Sequence, residues 1–317
     1  MANAAVKKRP EPVFRPGRTR RLNKKQAKTK AKAEARANTP VPNSFRLTAQ
    51  VAGIFKKNWK ILLGIVVVYL ILNIIFASGL SGLGNAVSTI KVDLKNANGG
   101  GQALAKGISG FGSLVGSAGA SGSASAGILQ SVLFVLESLV IIWSLRQLLA
   151  GKTIGVKEAY YHSMFPLIPF LLVLAVIIIQ LLPITIGAAV LSAVLTSTVS
   201  SLTLASWLSW IFFILLAGWS FYMVSGSIFA AYIVTLPDMA PRDALRSARN
   251  LVRFRRWQIL PKILYLPVFI LIVMAIIIVP LIIFASFLVA PVFYVLSMLA
   301  ILFVHSYLYS LYRGLLE

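Results

Sequence analysis

Apolar blocks as long as a bilayer crossing constrain this chain more than any other feature. A transmembrane helix needs about 20 predominantly apolar residues, and runs of that length follow one another from residue 61 to residue 311. The chain is 58% hydrophobic and 12% charged, whereas soluble domains are about a quarter charged. The sequence therefore predicts an all-α integral membrane protein rather than a pair of soluble domains.

Six transmembrane helices are predicted from the apolar runs. They cover about 61–80, 128–150, 165–191 and 205–235, and two more share the run from 263 to 311. That last run is divided into a hairpin with its turn near Ala285 to Pro291. Pro183 is expected to kink the third span.

A Gly/Ser/Ala-rich segment, about 81–127, joins the first two spans on the predicted outer side. It follows no strand and lacks the Lys-Ser/Thr ending of a phosphate-binding loop. Two interpretations remain open for it, a flexible spacer or a helix that packs through small residues.

The inventory of reactive side chains limits the chemistry. The chain has no cysteine, 2 histidines and 8 acidic residues. Disulfides, cysteine-ligated zinc, thiolate catalysis and iron–sulfur clusters are thereby excluded, and no metal site or cofactor is predicted. Neither a serine elbow nor a catalytic acid pair is visible, so no catalytic residue is predicted.

The formal charge of +23 is concentrated in the N-terminal part of the chain. Residues 1–60 hold 17 of the 31 Lys and Arg residues against only Glu11 and Glu34. Residues 1–43 offer little to bury, so a disordered basic tail is predicted there. Several partners of this tail remain open: the anionic membrane leaflet, a cytoplasmic protein, and RNA, DNA or a ribosome. A tail without any partner is the remaining interpretation.

Lys and Arg in the loops predict the orientation, because cationic loops resist translocation. If the tail is cytoplasmic, the predicted outer side keeps only Lys91, Lys95 and Lys106. The loops on the tail side hold the remaining basic residues: Arg146, Lys152, Lys157, Arg242, Arg246, Arg249, Arg253, Arg255, Arg256, Lys262 and Arg313. Both termini are therefore predicted to be cytoplasmic, in the plasma membrane of a prokaryote-type cell.

Aromatic residues agree with this orientation, since Trp is enriched at both membrane interfaces. Trp59 and Trp257 would lie at the inner interface, and Trp207 and Trp210 at the outer one.

Two pairs of similar segments predict an internal repeat. FKKNWKIL (55–62) before the first span resembles FRRWQIL (254–260) before the fifth, and VKEAYYHS (156–163) before the third resembles PRDALRSA (241–248). The predicted architecture is three copies of a cytoplasmic juxtamembrane helix followed by a hairpin of two spans.

The segment PRDALRSARNLVRFRRW, 241–257, predicts one amphipathic helix in the inner interface. Its arginines are spaced 4, 3, 4 and 3 residues apart, which places them within about 80° on a helix; they are Arg242, Arg246, Arg249, Arg253 and Arg256. The opposite face would hold Ala244, Ala248, Leu251 and Phe254. Such a stripe either recognises phosphate-bearing lipid headgroups through bidentate guanidinium contacts or only fixes the topology.

Glu137 interrupts the apolar run LFVLESLVIIW (133–143) of the second span. At 1.5 Å per residue it lies about 14 Å from the start of the span, where insertion of an acid costs roughly 3 kcal/mol. We expect it to face other helices, with Gln180 as its hydrogen-bond partner and His305 and Tyr307 somewhat closer to the cytoplasm. The cluster would handle protons or cations, or would form an interhelical hydrogen bond that fixes packing.

Gly226 and Ala230 form a pair of small residues four apart in the fourth span. This spacing predicts close helix contact, either within the chain or between chains of a homo-oligomer.

The segments DALRSARNLVRFRRWQIL and GKTIGVKEAYYHS, together with six spans and basic helices before alternate spans, resemble the membrane domain that accompanies glycerophosphoryl diester phosphodiesterases, and related bacterial multi-pass proteins. The resemblance covers about 44–315. It implies a membrane domain and no hydrolase activity for this chain, and it transfers no catalytic residue.

The combined prediction is a non-catalytic membrane scaffold or lipid-interacting protein with a cationic cytoplasmic face. A small transporter or channel-like protein that uses Glu137, Gln180 and His305 is the first alternative. An intramembrane enzyme is the second.

Overall fold

A computed structural model describes residues 42–77, 87, 89–90, 92, 100–117, 124–198 and 202–316. Nearly all of the predicted basic tail, and part of the Gly/Ser-rich segment, lie outside these residues. Within the described part of the chain the regular structure is helical and contains no strand. The helices are α1 (Ser44–Ala77), α2 (Gly100–Ser117), α3 (Ala124–Leu149), α4 (Val156–Ser163), α5 (Leu167–Leu182), α6 (Ala188–Thr198), α7 (Leu202–Ser225), α8 (Ala230–Ile233), α9 (Pro241–Val252), α10 (Arg256–Phe284) and α11 (Val289–Leu316).

Six helical segments are long and apolar enough to cross a membrane, which confirms the predicted all-α, six-span architecture. The segments are Ser44–Phe76, Gly127–Leu149, Leu167–Leu195, Trp207–Ile233, Arg256–Phe284 and Val289–Leu316. The protein is therefore a multi-pass membrane protein. The predicted turn between the last two spans is also present, since a short 3-10 helix, Ser286–Leu288, joins α10 to α11.

Two spans are interrupted rather than continuous. Pro183 cannot donate a backbone hydrogen bond, and Pro183–Gly187 forms a π-helical turn between α5 and α6, at the residue where a kink is predicted. The fourth span breaks after Ser225, and residues 226–229 form a turn before the short helix α8. The predicted fourth span, about 205–235, is present as Trp207–Ile233 and contains this turn.

The six spans form three hairpins, each preceded by a helical segment outside the apolar core. The first hairpin is α1 with α3, the second is α5 and α6 with α7 and α8, and the third is α10 with α11. The start of α1 precedes the first hairpin, α4 the second and α9 the third. This arrangement agrees with the predicted repeat of a juxtamembrane helix and a hairpin.

A local break separates two of these juxtamembrane segments from their spans. Asn58, at φ −121° and ψ 26°, interrupts α1, and its Nδ2 donates to the carbonyl of Ile54 at 3.3 Å. Arg255, at φ −123° and ψ 12°, separates α9 from α10. Asparagine breaks helices by such local hydrogen bonds. The predicted single helix over 241–257 is therefore wrong, because α9 ends at Val252.

Each juxtamembrane segment packs on the preceding hairpin, and the first segment packs on the third hairpin, so the order of contacts is circular. Helix α4 packs on α3 and α1, and α9 packs on α8 and α5. The start of α1 meets the third hairpin, where Phe45 contacts the ring of Tyr265 edge-on with centroids 5.6 Å apart and Lys262 Nζ donates to the carbonyl of Pro42 at 2.7 Å. The start of the first span and the start of the fifth span are therefore in contact.

Buried residues four positions apart form the docking face of each juxtamembrane segment. They are Leu47 and Val51 in α1, Ala159 and Ser163 in α4, and Ala244 and Ala248 in α9. Positions i and i+4 lie on one helical face, so the similarity of VKEAYYHS to PRDALRSA reflects a shared way of packing.

One end of the bundle holds the starts of α1, α5 and α10 and the ends of α3, α8 and α11, and we call it the basic end. The helix α2 packs on α10 near the opposite end, where a Cβ at Gly107 would lie 3.4 Å from Val279. Of the two interpretations of the Gly/Ser-rich segment, helix packing through small residues applies to residues 100–117.

Candidate functional site

Glu137 lies in the middle of α3 and is 1% exposed. Its Oε2 is 2.8 Å from the phenol oxygen of Tyr160, which belongs to α4. The same phenol oxygen is 3.1 Å from the backbone carbonyl of Ile65 in α1. Three elements, α1, α3 and α4, therefore meet at the Tyr160 hydroxyl.

The docking of α4 brings Tyr160 to Glu137. Ala159 and Ser163 are buried on either side of Tyr160 along α4, and Val156 closes against Gly64, where a Cβ would lie 2.9 Å from the Val156 Cγ2. A glycine at 64 lets the two backbones approach closely enough for the phenol to reach both oxygen atoms.

Counting protons shows how both contacts at Tyr160 can be hydrogen bonds. A phenol has one proton to donate, and a backbone carbonyl only accepts. Burial raises the pKa of Tyr160 above its ordinary value, so the phenol stays protonated. Both contacts are satisfied together when the Glu137 carboxyl carries a proton and donates it to Tyr160, while Tyr160 donates its own proton to Ile65. We call this arrangement the Glu137 relay.

Further buried polar groups lie beside the Glu137 relay. Tyr69, one turn after Ile65, lies within electrostatic range of Glu137. Four residues further along α1, Asn73 accepts a hydrogen bond at its Oδ1 from Tyr294 at 2.7 Å. Among the described residues, Glu137 Oε1 and Asn73 Nδ2 are buried without a hydrogen-bond partner. The relay is thus part of a polar region enclosed between the first and third hairpins.

The predicted pairing of Gln180 with Glu137 is wrong. Gln180 is 6% exposed, and its Nε2 donates to Ser227 Oγ at 2.9 Å in the turn that interrupts the fourth span. Equal depth in the membrane led to the predicted pair, but depth does not determine the direction in which a side chain projects from its helix.

His305 belongs to a separate network. Its Nδ1 lies 3.2 Å from the Tyr232 hydroxyl and its Nε2 lies 3.1 Å from Ser138 Oγ, which itself donates to the Phe134 carbonyl at 2.7 Å. A neutral imidazole protonated at Nε2 satisfies every contact. His305 therefore has the partners of a histidine that holds helices together.

Tyr307 is fully buried and lies among aromatic rings rather than at Glu137. Its ring centroid is 6.3 Å from that of Tyr265 and 6.3 Å from that of Phe303. The four predicted buried polar residues thus occupy four different surroundings.

The arginines of 241–257 divide into two groups. Arg242, Arg246 and Arg249 are exposed on α9, opposite the buried residues Ala244, Ala248 and Val252. Arg253 is exposed in the turn after α9, where its guanidinium carbon lies 5.5 Å from the ring centroid of Phe254. We call these four arginines the basic face. Phe254, predicted on the packed side, is 55% exposed.

Arg256 points into the bundle instead of joining the basic face. Its guanidinium carbon lies 4.7 Å from the ring centroid of Tyr222, a cation–π distance. A Cβ at Gly226 would lie 3.3 Å from Arg256 Nη2. Gly226 therefore makes room for a guanidinium of α10, and Ala230, which follows the turn in the fourth span, is fully buried; a contact of this pair with a second chain stays a prediction.

Sequence reasoning missed Arg146, which joins the first hairpin to the second. Its Nη1 donates to the Thr235 carbonyl at 2.8 Å and its Nη2 donates to the Tyr232 carbonyl at 3.3 Å and to Thr235 Oγ1. The two carbonyls lie at and just beyond the C-terminus of the short helix α8, where a positive charge interacts favourably with the helix dipole. A basic residue at the end of α3 was visible in the sequence, but its distant partner was not.

No family model, curated protein or solved structure matches this chain.

Replacement of Tyr160 by Phe is expected to destabilise the fold by about 1–3 kcal/mol, because it leaves the buried Glu137 carboxyl without its hydrogen-bond partner. The midpoint of thermal unfolding in detergent measures the effect. Tyr161→Phe is the matched control, because Tyr161 is 80% exposed on the same helix. Equal midpoints for the two variants would contradict the relay.

Infrared difference spectra of the wild-type protein and Glu137→Gln in lipid should contain the C=O stretch of one protonated carboxylic acid. The assignment is favourable because the chain has 8 acidic residues and the other seven lie outside the six spans. A carboxylate band in place of the carboxylic acid band would show that Tyr160 donates to an ionised Glu137.

Proposed function

We propose that this protein is a non-catalytic component of a prokaryote-type plasma membrane that binds anionic lipid headgroups through its basic face, with both termini in the cytoplasm. The observation that carries the proposal is the position of α9. It is docked on the bundle by Ala244, Ala248 and Val252, which leaves its arginines exposed on the other side.

The state of these arginines supports lipid binding. Within the described ranges, the side chains of Arg242, Arg246 and Arg249 have no hydrogen bond or ion pair with another residue. A guanidinium that is not engaged by protein can bind two oxygen atoms of a phosphate. Each basic residue near an anionic leaflet contributes roughly 1 kcal/mol to the attraction.

Exposed aromatic residues support an interfacial position for both ends of the bundle. Trp257 is 82% exposed and Trp59 is 56% exposed near the basic end, while Trp207 and Trp210 are 67% and 62% exposed near the other end. Trp side chains favour the headgroup region, where an apolar ring and a polar N–H are both accommodated.

A small transporter is the second candidate, and the buried polar region around Glu137 favours it. Glu137 Oε1 has no hydrogen-bond partner among the described residues, and ionisable groups inside spans commonly mark ion or proton pathways. Proteoliposomes that carry a proton-sensitive dye test this candidate. Proton flux in the wild type that Glu137→Gln abolishes would favour transport, and the absence of flux in both would favour a packing role.

Replacement of Arg242, Arg246 and Arg249 together by Gln should lower the preference of the reconstituted protein for spin-labelled phosphatidylglycerol over phosphatidylcholine at least several-fold, since the loss of even one contribution of roughly 1 kcal/mol lowers an equilibrium constant about fivefold. Electron spin resonance of the motionally restricted lipid measures it. The matched control replaces Arg46, Lys56 and Lys60, which are also exposed. An equal loss in both variants would mean that overall charge, and not α9, selects the lipid. A triple Lys variant tests whether the planar guanidinium is needed.

Orientation is testable by cysteine labelling because the natural chain has no cysteine. Ser247→Cys on α9 and Ser109→Cys on α2 are both at exposed positions. In intact cells an impermeant maleimide should label Ser109→Cys and leave Ser247→Cys unlabelled until the membrane is opened. The reverse result would contradict a cytoplasmic basic end.

A further inference from the structure

A cleft at the basic end lies between the start of α1, the end of α3 and the end of α11. Its volume is about 480 Å³, which is within the range of small-ligand sites. The polar side chains that line it are Gln50, Lys57, Asn58, Ser310 and Arg313. We call it the cationic cleft.

The charges in the cationic cleft have one sign. Lys57 and Arg313 line it, and no acidic residue is among the described residues that do so. Within the described chain, neither side chain has a hydrogen bond or ion pair with another residue. A larger cleft of about 1220 Å³ beside α4 differs in this respect, because Glu158 and Asp238 line it together with Arg146. The guanidinium of Arg146 already donates a hydrogen bond to the Thr235 carbonyl.

Backbone features shape the cationic cleft. The break at Asn58 ends the juxtamembrane part of α1 at the cleft. Gly151 has φ +78°, a conformation that glycine adopts without strain, and lets the chain turn away at the end of α3. Gly314 brings α11 against Pro42, whose Cγ would lie 3.1 Å from a Cβ there. Gly53 faces open space, since a Cβ at that position meets nothing within 4 Å.

We propose that the cationic cleft is a specific binding site for the phosphate of a membrane lipid headgroup, held between Lys57 and Arg313. The inference goes beyond the basic face, because it assigns one saturable site to other residues. It rests on the proposed function only in placing the basic end in a headgroup layer, and it holds for either orientation of the chain.

The chemistry of the cleft matches a phosphate on a lipid. Arg313 can bind two phosphate oxygens and Lys57 supplies a compact charge. The amides of Gln50 and Asn58 and the hydroxyl of Ser310 are neutral donors for the remaining oxygens. Ile54, Leu148 and Leu149 also line the cleft, so the glycerol and the first part of an acyl chain would have apolar contacts.

Native mass spectrometry of the delipidated protein, titrated with dioleoylphosphatidylglycerol, tests the proposal. The wild type should bind one lipid more tightly than the rest. The double variant Lys57→Gln/Arg313→Gln should bind that lipid at least about tenfold more weakly, as the loss of charge-assisted hydrogen bonds implies. The control, Lys56→Gln/Lys60→Gln, removes two exposed charges of the same helix that do not line the cleft and should leave the tight site unchanged.

A second variant fills the cleft without changing its charge. Gly53→Leu should block the tight site, and Gly218→Leu, where a Cβ also meets nothing within 4 Å, should not. Competition with inorganic phosphate separates the sources of the ligand. Displacement of the lipid shows that the phosphate group alone is recognised, and lipid binding without displacement assigns the site to the lipid.

Wild-type affinity in both Lys57→Gln/Arg313→Gln and Gly53→Leu would overturn the site. The failure of this inference is distinguishable from failure of the basic face. The triple Gln variant of α9 should lose its spin-label selectivity and keep the tight lipid, whereas the cleft variants should show the opposite pattern.

Discussion

The absence of water between the ends of the six spans is the constraint on which the rest of this structure depends. Backbone groups in hydrocarbon must be satisfied within the chain, so each crossing is helical. Polar side chains there must also find partners inside the bundle, and they do so between elements that are distant in sequence. Tyr160 reaches Glu137 and Ile65, Gln180 reaches Ser227, and His305 reaches Tyr232 and Ser138. These polar contacts therefore link helices that are distant in sequence.

The packing of the three juxtamembrane segments determines where charged side chains are exposed at the basic end. Each segment uses a pair of buried residues four positions apart to cover the preceding hairpin, as Ala244 and Ala248 do in α9. The other side of each segment then remains available for charge. In α9 that side carries arginines, and in α1 it borders the cleft that contains Lys57. The same packing rule thus produces an extended basic surface in one place and a cationic cleft in another.

The two candidate functions depend on different parts of the molecule. Lipid binding would use charges at the end of the bundle, where water and headgroups would be accessible. Transport would use the polar region around Glu137, which is enclosed by α1, α3, α4 and α11. Arg146, through its hydrogen bonds to the end of α8, connects the first hairpin with the second, on which α9 is docked. The two regions therefore share a scaffold but not their chemistry.

The sequence by itself determined the number of spans, the hairpin turn before α11, an irregularity of the helix at Pro183 and the three juxtamembrane segments, because apolar length, proline and helical periodicity act locally. It also located Glu137 and the arginines of α9. Only the tertiary structure decided that Tyr160, and not Gln180, contacts Glu137, that Arg256 turns inward over Tyr222, and that α1, α3 and α11 enclose a cleft. Position along an apolar run gives the depth of a residue, and periodicity gives its face on one helix. The partner of that face depends on how the hairpins pack together.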